Sequence, residues 1–447
     1  MENKNSLIHG NITKGLIAFT IPFLFSYFLQ TFYGMADLMI VGLFEGASST
    51  SAVSIGSQFM HMVTVLVVGL AMGVSVHIGH CVGAKEEKKV GQCIGTSIYI
   101  FGFLSILLTI LFFVSARNIA FLLQTPKEAL EPTIQYLKIC SLGIPWIIAY
   151  NVIASIFRGL GDSKRPLYFV AIACVVNLIL DYVFIGFFHL STSGAALATI
   201  IGQAISVLVS LILMKKIQFE VPISKKEFHF DFSILKKILY IGTPIAFQDG
   251  MIQISFLIIT IIANSRGLIA SSSVGIVEKV ISFFFLVPSA FLSSISTMTA
   301  QNMGANQPER AKKGLFIGMR IAMLWGIIIA LYCQFFPETF VSLFTKDVQV
   351  IHSGCEYLRS YVLDTFFASI HFCFSGYFCG SNRSGLSFIH NIFSILLFRI
   401  PGAYLASLWW PSTLYPMGLA PGIGSIFSVF LCVYFYKKIT STQKKNS

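Results

Sequence analysis

Two carboxylates stand inside long apolar runs: Asp37 in "IPFLFSYFLQTFYGMADLMIVG" and Asp181 in "VVNLILDYVFIGF". Asn177 precedes Asp181 by four residues, which sets both side chains on one face of a helix. An ionisable group at the centre of a bilayer costs about 2.5–3.5 kcal/mol on insertion scales. It therefore needs a partner, a water-filled cavity or a function. Two carboxylates, the Asn177 amide and the hydroxyl of Thr199 from the next apolar run would make one of two devices. Ionised, they are hard oxygen ligands for a small cation such as Na⁺. Sharing a proton in a dry pocket, they are a proton carrier. Either device lets an inward-moving ion compete with an outgoing cationic substrate for the same negative charge. The structural alternative is a set of carboxylates that cap or bridge helices.

The elements that must position these residues are helices in a membrane. The 447 residues are 55% hydrophobic and 11% charged, with mean hydropathy +0.78. A soluble domain carries about 25% charged residues. A spanning helix needs roughly 20 apolar residues, and twelve runs qualify: 16–40, 52–77, 93–115, 133–156, 166–188, 193–214, 237–262, 270–298, 314–335, 355–379, 386–409 and 417–436. The expected fold is an all-α membrane protein of twelve transmembrane helices. At 1.5 Å per residue, Asp37 lies roughly 31 Å along helix 1 and Asp181 roughly 22 Å along helix 5. Helix 6 descends from the outer side, with Thr199 about 10 Å below its start. All four residues can then share the outer half of one lobe. Pro22 removes a backbone hydrogen bond from helix 1 and allows a bend 15 residues before Asp37.

The net charge of +12 is a matter of topology. With an even span count, the side that carries both termini holds 22 Lys and Arg, and the opposite side holds Arg117, Lys127, Arg266 and Lys346. Positive-inside bias puts both termini in the cytoplasm, and no nucleic-acid partner is expected. The apolar run after "MENKNSLIHGNITKG" continues past signal-peptide length, so no cleaved leader is expected. The nine cysteines form no C-x-x-C pair and read as small apolar fillers. There is no G-x-x-x-x-G-K-[ST], no hydrolase motif and no His/Glu metal pair. An enzyme, an ATP-driven step and an organic cofactor are therefore not expected.

The chain repeats itself. Tyr136-Leu137-Lys138 falls on Tyr357-Leu358-Arg359 at an offset of 221, as Gly83-Ala84 falls on Gly304-Ala305 and Phe157-x-Gly159 on Phe378-x-Gly380. Pro22 and Pro244 align at 222. Six spans per repeat make the two repeats parallel, an arrangement of transporters with a mid-membrane site between halves. The expected division is a six-helix lobe over 1–218, a cytoplasmic linker over 219–234 and a second six-helix lobe over 235–447. Further polar residues are candidates for a substrate cavity: Gln30 and Tyr33 on helix 1, and Gln248, Asp249 and Gln253 on helix 7. Tyr33 could hold an organic cation by cation–π contact. Glu278, Lys279, Asp364, Arg359 and Arg399 have no assigned role at this level.

The motifs "FRGLGDSKRPL" (157–167), "NLILDYVFIGFFHLSTSGAALAT" (177–199) and "TAQNMGANQPERAKKG" (299–314), together with the helix-1 segment, resemble the multidrug and toxic compound extrusion (MATE) family over essentially the whole chain. The resemblance implies two six-helix lobes in a V around a central cavity, and export of organic cations or amphiphilic compounds in exchange for H⁺ or Na⁺. In the DinF-like branch it implies a coupling-ion site at Asp37, Asn177, Asp181 and Thr199, with the helix-1 bend at Pro22. Helix 7 has no Glu, which sets the chain apart from the NorM-like branch. "FCGSNR" (378–383) stands where "FRGLGD" stands in the first half, so a symmetric cytoplasmic gate is not implied. The expected protein is a multi-pass antiporter of the inner (plasma) membrane, monomeric, working by alternating access. A flippase or exporter of a lipid-linked or other metabolite cargo is the alternative on the same fold.

Overall fold

The computed structural model describes residues 7–216 and 229–446; of the linker expected at 219–234, residues 219–228 lie outside the described residues. Eleven helices are long and apolar enough to cross a membrane, and a bent pair makes the twelfth span. In chain order they are α1 (Ile12–Phe44), α2 (Ala47–Gly83), α3 (Glu87–Leu122), α4 (Lys127–Gly159), α5 (Lys164–Phe187) and α6 (Ser191–Lys216). The second set is α7 (Phe232–Asn264), α8 (Leu268–Gly304), α9 (Pro308–Phe335), α10 (Val348–Tyr361 with Asp364–Gly380), α11 (Ser384–Trp409) and α12 (Tyr415–Asn446). The two parts of α10 meet at 43°. Each expected span has its helix, and the structure is the all-helical membrane fold that the composition implies.

The repeat reaches down to the backbone. Lys85 and Asn306 both adopt left-handed φ, 58° and 55°, and so do Gly161 and Asn382, at 90° and 58°. Each pair is 221 residues apart. At each of these residues a helix ends with a six-to-one bond: Glu86 N to Cys81 O (2.9 Å) and Gln307 N to Asn302 O (2.8 Å), then Asp162 N to Phe157 O (2.9 Å) and Arg383 N to Phe378 O (2.8 Å). These turns satisfy carbonyls that a helix end leaves open. The second and fourth spans of both halves are thus stopped by the same device, although only Gly161 is a glycine.

Packing divides the described chain into two compact units. One is Phe25–Ala246; the other joins Phe247 onward to the start of the chain as far as Leu24. Both divisions fall inside a helix, two residues after Pro22 in α1 and two after Pro244 in α7. The core of the first unit gathers buried Val53, Val67, Ile144, Ile148, Val152 and Ile185. That of the second gathers Val274, Val277, Tyr357, Tyr361, Ala403 and Met417. The outward face of α3 (Phe103, Ile106, Ile110, Val114) is exposed and apolar at helical spacing, as a lipid-facing stripe should be. In the second unit two arginines hold loops. Arg310 donates to the carbonyls of Gly10 (2.9 Å) and His9 (3.0 Å), and Arg266 to those of Pro411 (2.7 Å) and Thr413 (3.0 Å).

Candidate functional site

Within the first unit, α1, α5 and α6 bring Asp37, Asn177, Asp181 and Thr199 together. Asp181 is fully buried, Asn177 is 3% exposed and Asp37 7%. The Thr199 hydroxyl lies 3.0 Å from the carbonyl of Ala195 and 3.4 Å from Asp37 Oδ2. Its single proton serves the helix bond or the carboxylate, so Thr199 can also turn a lone pair toward a cation. Asp181 and Asn177 lie within interaction range of the Asp37 carboxylate. Even so, Asp37 Oδ1, both Asp181 carboxylate oxygens and Asn177 Oδ1 have no hydrogen-bond partner. Among the described residues neither carboxylate forms an ion pair.

This is an incomplete polar cluster by the standards of a protein interior, where buried acceptors are paired. Four unpaired oxygens on three residues, with a fifth from Thr199, are a donor set of the kind a small hard cation takes. They suit a proton equally well. The set therefore fits either a proton or a small cation. Among the described residues no group of three or more His, Cys, Asp or Glu could hold a metal ion, so the oxygens of Asn and Thr are what such a site would add.

Local structure explains how the cluster closes. Gly202, three residues after Thr199, lets α6 approach α5. A Cβ there would stand 3.0 Å from the carbonyl of Ala173 and 3.3 Å from the Cβ of Asn177. Directly after Asp181 the helix widens into a π turn, Tyr182–Phe187, a feature that often marks functional sites. Gly202→Val should push α6 away from Asn177 and overpack the contact, at a cost of about 1–3 kcal/mol. The thermal midpoint should fall and ion affinity should fall with it, with Gly202→Ala between Val and wild type. Ion affinity unchanged in a destabilised Val variant would show that the close approach serves packing alone.

The other candidates divide between the two units. Gln30, Tyr33 and Asp37 follow one face of α1, and the structure adds two residues that the sequence reading did not single out. Tyr33 lies within interaction range of Gln203 on α6, Tyr150 on α4 and Asp37, and Gln30 is in range of Tyr150. Gln203 could have been found, since it lies one turn beyond Thr199 on the same face. Tyr150 had no such signal. Gln248, Asp249 and Gln253 belong to the second unit. Gln248 is buried and its carbonyl oxygen accepts from Ser387 Oγ at 2.6 Å, while its amide reaches Asp249 Oδ1 only at 3.5 Å. Asp249 and Gln253 are half-buried. Pro22 is buried, in the part of α1 that belongs to the second unit.

Of the remaining polar residues, His390 is held between Ser375 Oγ (2.9 Å) and Ser428 Oγ (2.8 Å), which satisfies both ring nitrogens. Glu278 accepts from Thr260 Oγ1 at 3.2 Å. Arg399 donates to the hydroxyl of Tyr361 at 2.7 Å. All nine cysteines are buried and free.

Comparison with known proteins agrees with this architecture. The family model MatE matches twice, at residues 22–183 and 244–405. The "Probable multidrug resistance protein YpnP" of Bacillus subtilis (strain 168) is 27% identical over 429 residues, which are 95% of this chain and 94% of that protein. An "FAD transporter" of Shewanella oneidensis is 23% identical over 458 residues, 99% of this chain and 98% of that one. A solved structure of MATE in complex with MaL6 superposes with a TM-score of 0.93 at 21% identity, covering 99% of this chain and 100% of that one.

Proposed function

The chain belongs to the MatE family, and on that premise we propose that it is a DinF-like antiporter that expels organic cations in exchange for H⁺ or Na⁺. It is a multi-pass membrane transporter and not an enzyme. The observation that carries the proposal is the buried cluster of Asp37, Asn177, Asp181 and Thr199, whose unpaired oxygens have no fixed cation beside them. Negative charge held in a dry lobe is stable only when a mobile cation shares it. The coupling ion and an organic cation then exclude one another, and alternating exposure of the site makes one gradient drive the other. Each charge moved across 100 mV is worth about 2.3 kcal/mol, which is roughly a fiftyfold concentration ratio. The absence of Glu from α7 supports placing the coupling in the first repeat. Tyr33, Gln30, Gln248, Asp249 and Gln253 are proposed to face the substrate path. The charge bias supports cytoplasmic termini in the plasma membrane, and a complete pair of repeats in one chain supports a monomer.

A second cargo has one observation in its favour. The FAD relative spans nearly the whole chain, so a metabolite exporter on this fold is the competing reading. The acidic cluster argues for cations instead.

The test uses inverted vesicles and a fluorescent cation such as ethidium, with a pH gradient alone and a Na⁺ gradient alone. At least one of the two gradients is expected to drive uptake of the dye. Uptake indifferent to both gradients would overturn the antiport reading. Flavin movement without dye movement would favour the competing cargo.

A further inference from the structure

The second repeat contains no copy of the ion cluster, and it contains a charge that the first repeat lacks. The two family matches start 222 residues apart and end 222 apart, whereas Phe157 and Phe378 are 221 apart. One residue is therefore gained within the eleventh span, and the π turn Ile395–Arg399 is the place for it, since a π turn accommodates a single added residue. From the end of that turn the offset of 222 sets Arg399 at the position of Asn177 and Ala403 at that of Asp181. The position of Asp37 falls on Ile258 or Ile259. The carboxylates of the first cluster are gone, and a guanidinium stands where the amide stood.

Arg399 is only 9% exposed. Its guanidinium lies 4.4 Å from the centre of the Phe256 ring and gives Nη2 to the Tyr361 hydroxyl at 2.7 Å. Its Nε has no partner. It borders a cavity of about 50 Å³ together with Asp364, His371, Asn391, Ser394 and Ser425. Asp364 is 2% exposed with Oδ1 unpaired, and Glu278 keeps Oε1 unpaired. Both carboxyl groups lie within the electrostatic reach of Arg399. None of the three is locked in a direct ion pair among the described residues. The second unit thus has buried carboxyl groups of its own, with one fixed positive charge in reach of each.

We propose that Arg399 is a tethered counter-cation for Asp364 across the cavity they both line, so that the second unit takes no mobile ion and exchange runs on the load held in the first. Arg399 is a positioning residue: it touches neither substrate nor coupling ion and sets how many ions the protein carries. An arginine suits this role because it stays charged and its planar group stacks on an aromatic ring. The inference rests on the proposed coupling role of Asp37 and Asp181.

The test counts ions on the purified full-length protein in detergent, with Na⁺ titrated at fixed pH and proton release followed by an indicator dye. Wild type is expected to show one saturable load, lost in Asp181→Asn. Arg399→Gln is expected to gain a second load, a twofold rise, which disappears in Arg399→Gln/Asp364→Asn. Arg399→Lys keeps the charge and should carry the wild-type load. Should Arg399→Gln fail to fold, Asp364→Asn alone decides, because on this proposal it leaves the wild-type load unchanged. A folded Arg399→Gln with an unchanged load, or a wild-type load that falls by half with Asp364→Asn, overturns the inference while loss in Asp181→Asn leaves the coupling site standing. A wild-type load that survives Asp181→Asn and vanishes with Asp364→Asn overturns both.

Discussion

Asp181→Asn should abolish gradient-driven efflux while leaving the protein folded and its melting temperature unchanged or raised. The two halves of this expectation come from one fact. Asp181 is fully buried, and its carboxylate oxygens have no hydrogen-bond partner and no fixed cation. A buried, uncompensated charge destabilises its surroundings, so exchanging it for an isosteric amide costs the fold little and removes a repulsion with Asp37. The ion loses more. A hydrogen bond or ligand contact to a charged group is worth about 1.5–3 kcal/mol, which corresponds to roughly 10–150-fold in ion affinity. An amide also cannot carry the exchanged proton. Asp37→Asn should behave in the same way, and the double variant should be little worse than either, if the two carboxylates act on one ion as proposed. Gradient-driven uptake of a fluorescent cation into inverted vesicles measures the first half, and thermal unfolding the second. Undiminished, gradient-dependent efflux in both single variants would sink the site assignment. Loss of efflux together with a lower melting temperature would make the cluster a structural bridge.

The residues of this cluster were legible in the sequence because they are costly where they stand. Hydropathy exposes an Asp inside an apolar span, helical spacing pairs it with Asn177, and depth along the spans brings Thr199 level with it. Contact between helices is beyond such reasoning. Tyr150 joins the polar neighbourhood of Tyr33 through tertiary packing, and nothing in "WIIAYNVIASIF" marks it. The twelve spans were legible for the same reason that the cluster was, since roughly 20 apolar residues in a row have few other uses. The break in α10 between Tyr361 and Asp364 was not, because no proline or glycine stands there. The two π turns likewise carry no compositional mark; each is one residue more than its helix needs. The packing division after Leu24 and after Ala246 runs through a continuous hydrophobic helix in each case, and its compositional mark is the proline two residues earlier, Pro22 and Pro244.

That division gives Pro22 a sharper meaning than a proline in a membrane helix usually has. Pro22 has no N–H to offer the carbonyl of Ala18, and its ring crowds the preceding turn. It stands two residues before α1 passes from one compact unit to the other, with Asp37 four turns further on. Bending at Pro22 would therefore carry the C-terminal part of α1, and with it Asp37, relative to the segment that packs in the other unit. Pro22→Ala restores the helical hydrogen bond and should favour the straight helix by up to about 3 kcal/mol. If transport passes through a bent α1, the same amount is added to the cost of bending. Turnover should then fall by up to roughly 150-fold. Ion binding to the purified protein should stay within a few-fold of wild type, because no ligand has been removed, and the melting temperature should rise. This pattern separates a hinge from a ligand: Asp181→Asn loses the ion and the transport, whereas Pro22→Ala keeps the ion and loses the transport. Wild-type turnover in a stabilised Pro22→Ala protein would mean that α1 need not bend, and that the ion cluster opens by movement of α5 and α6 instead.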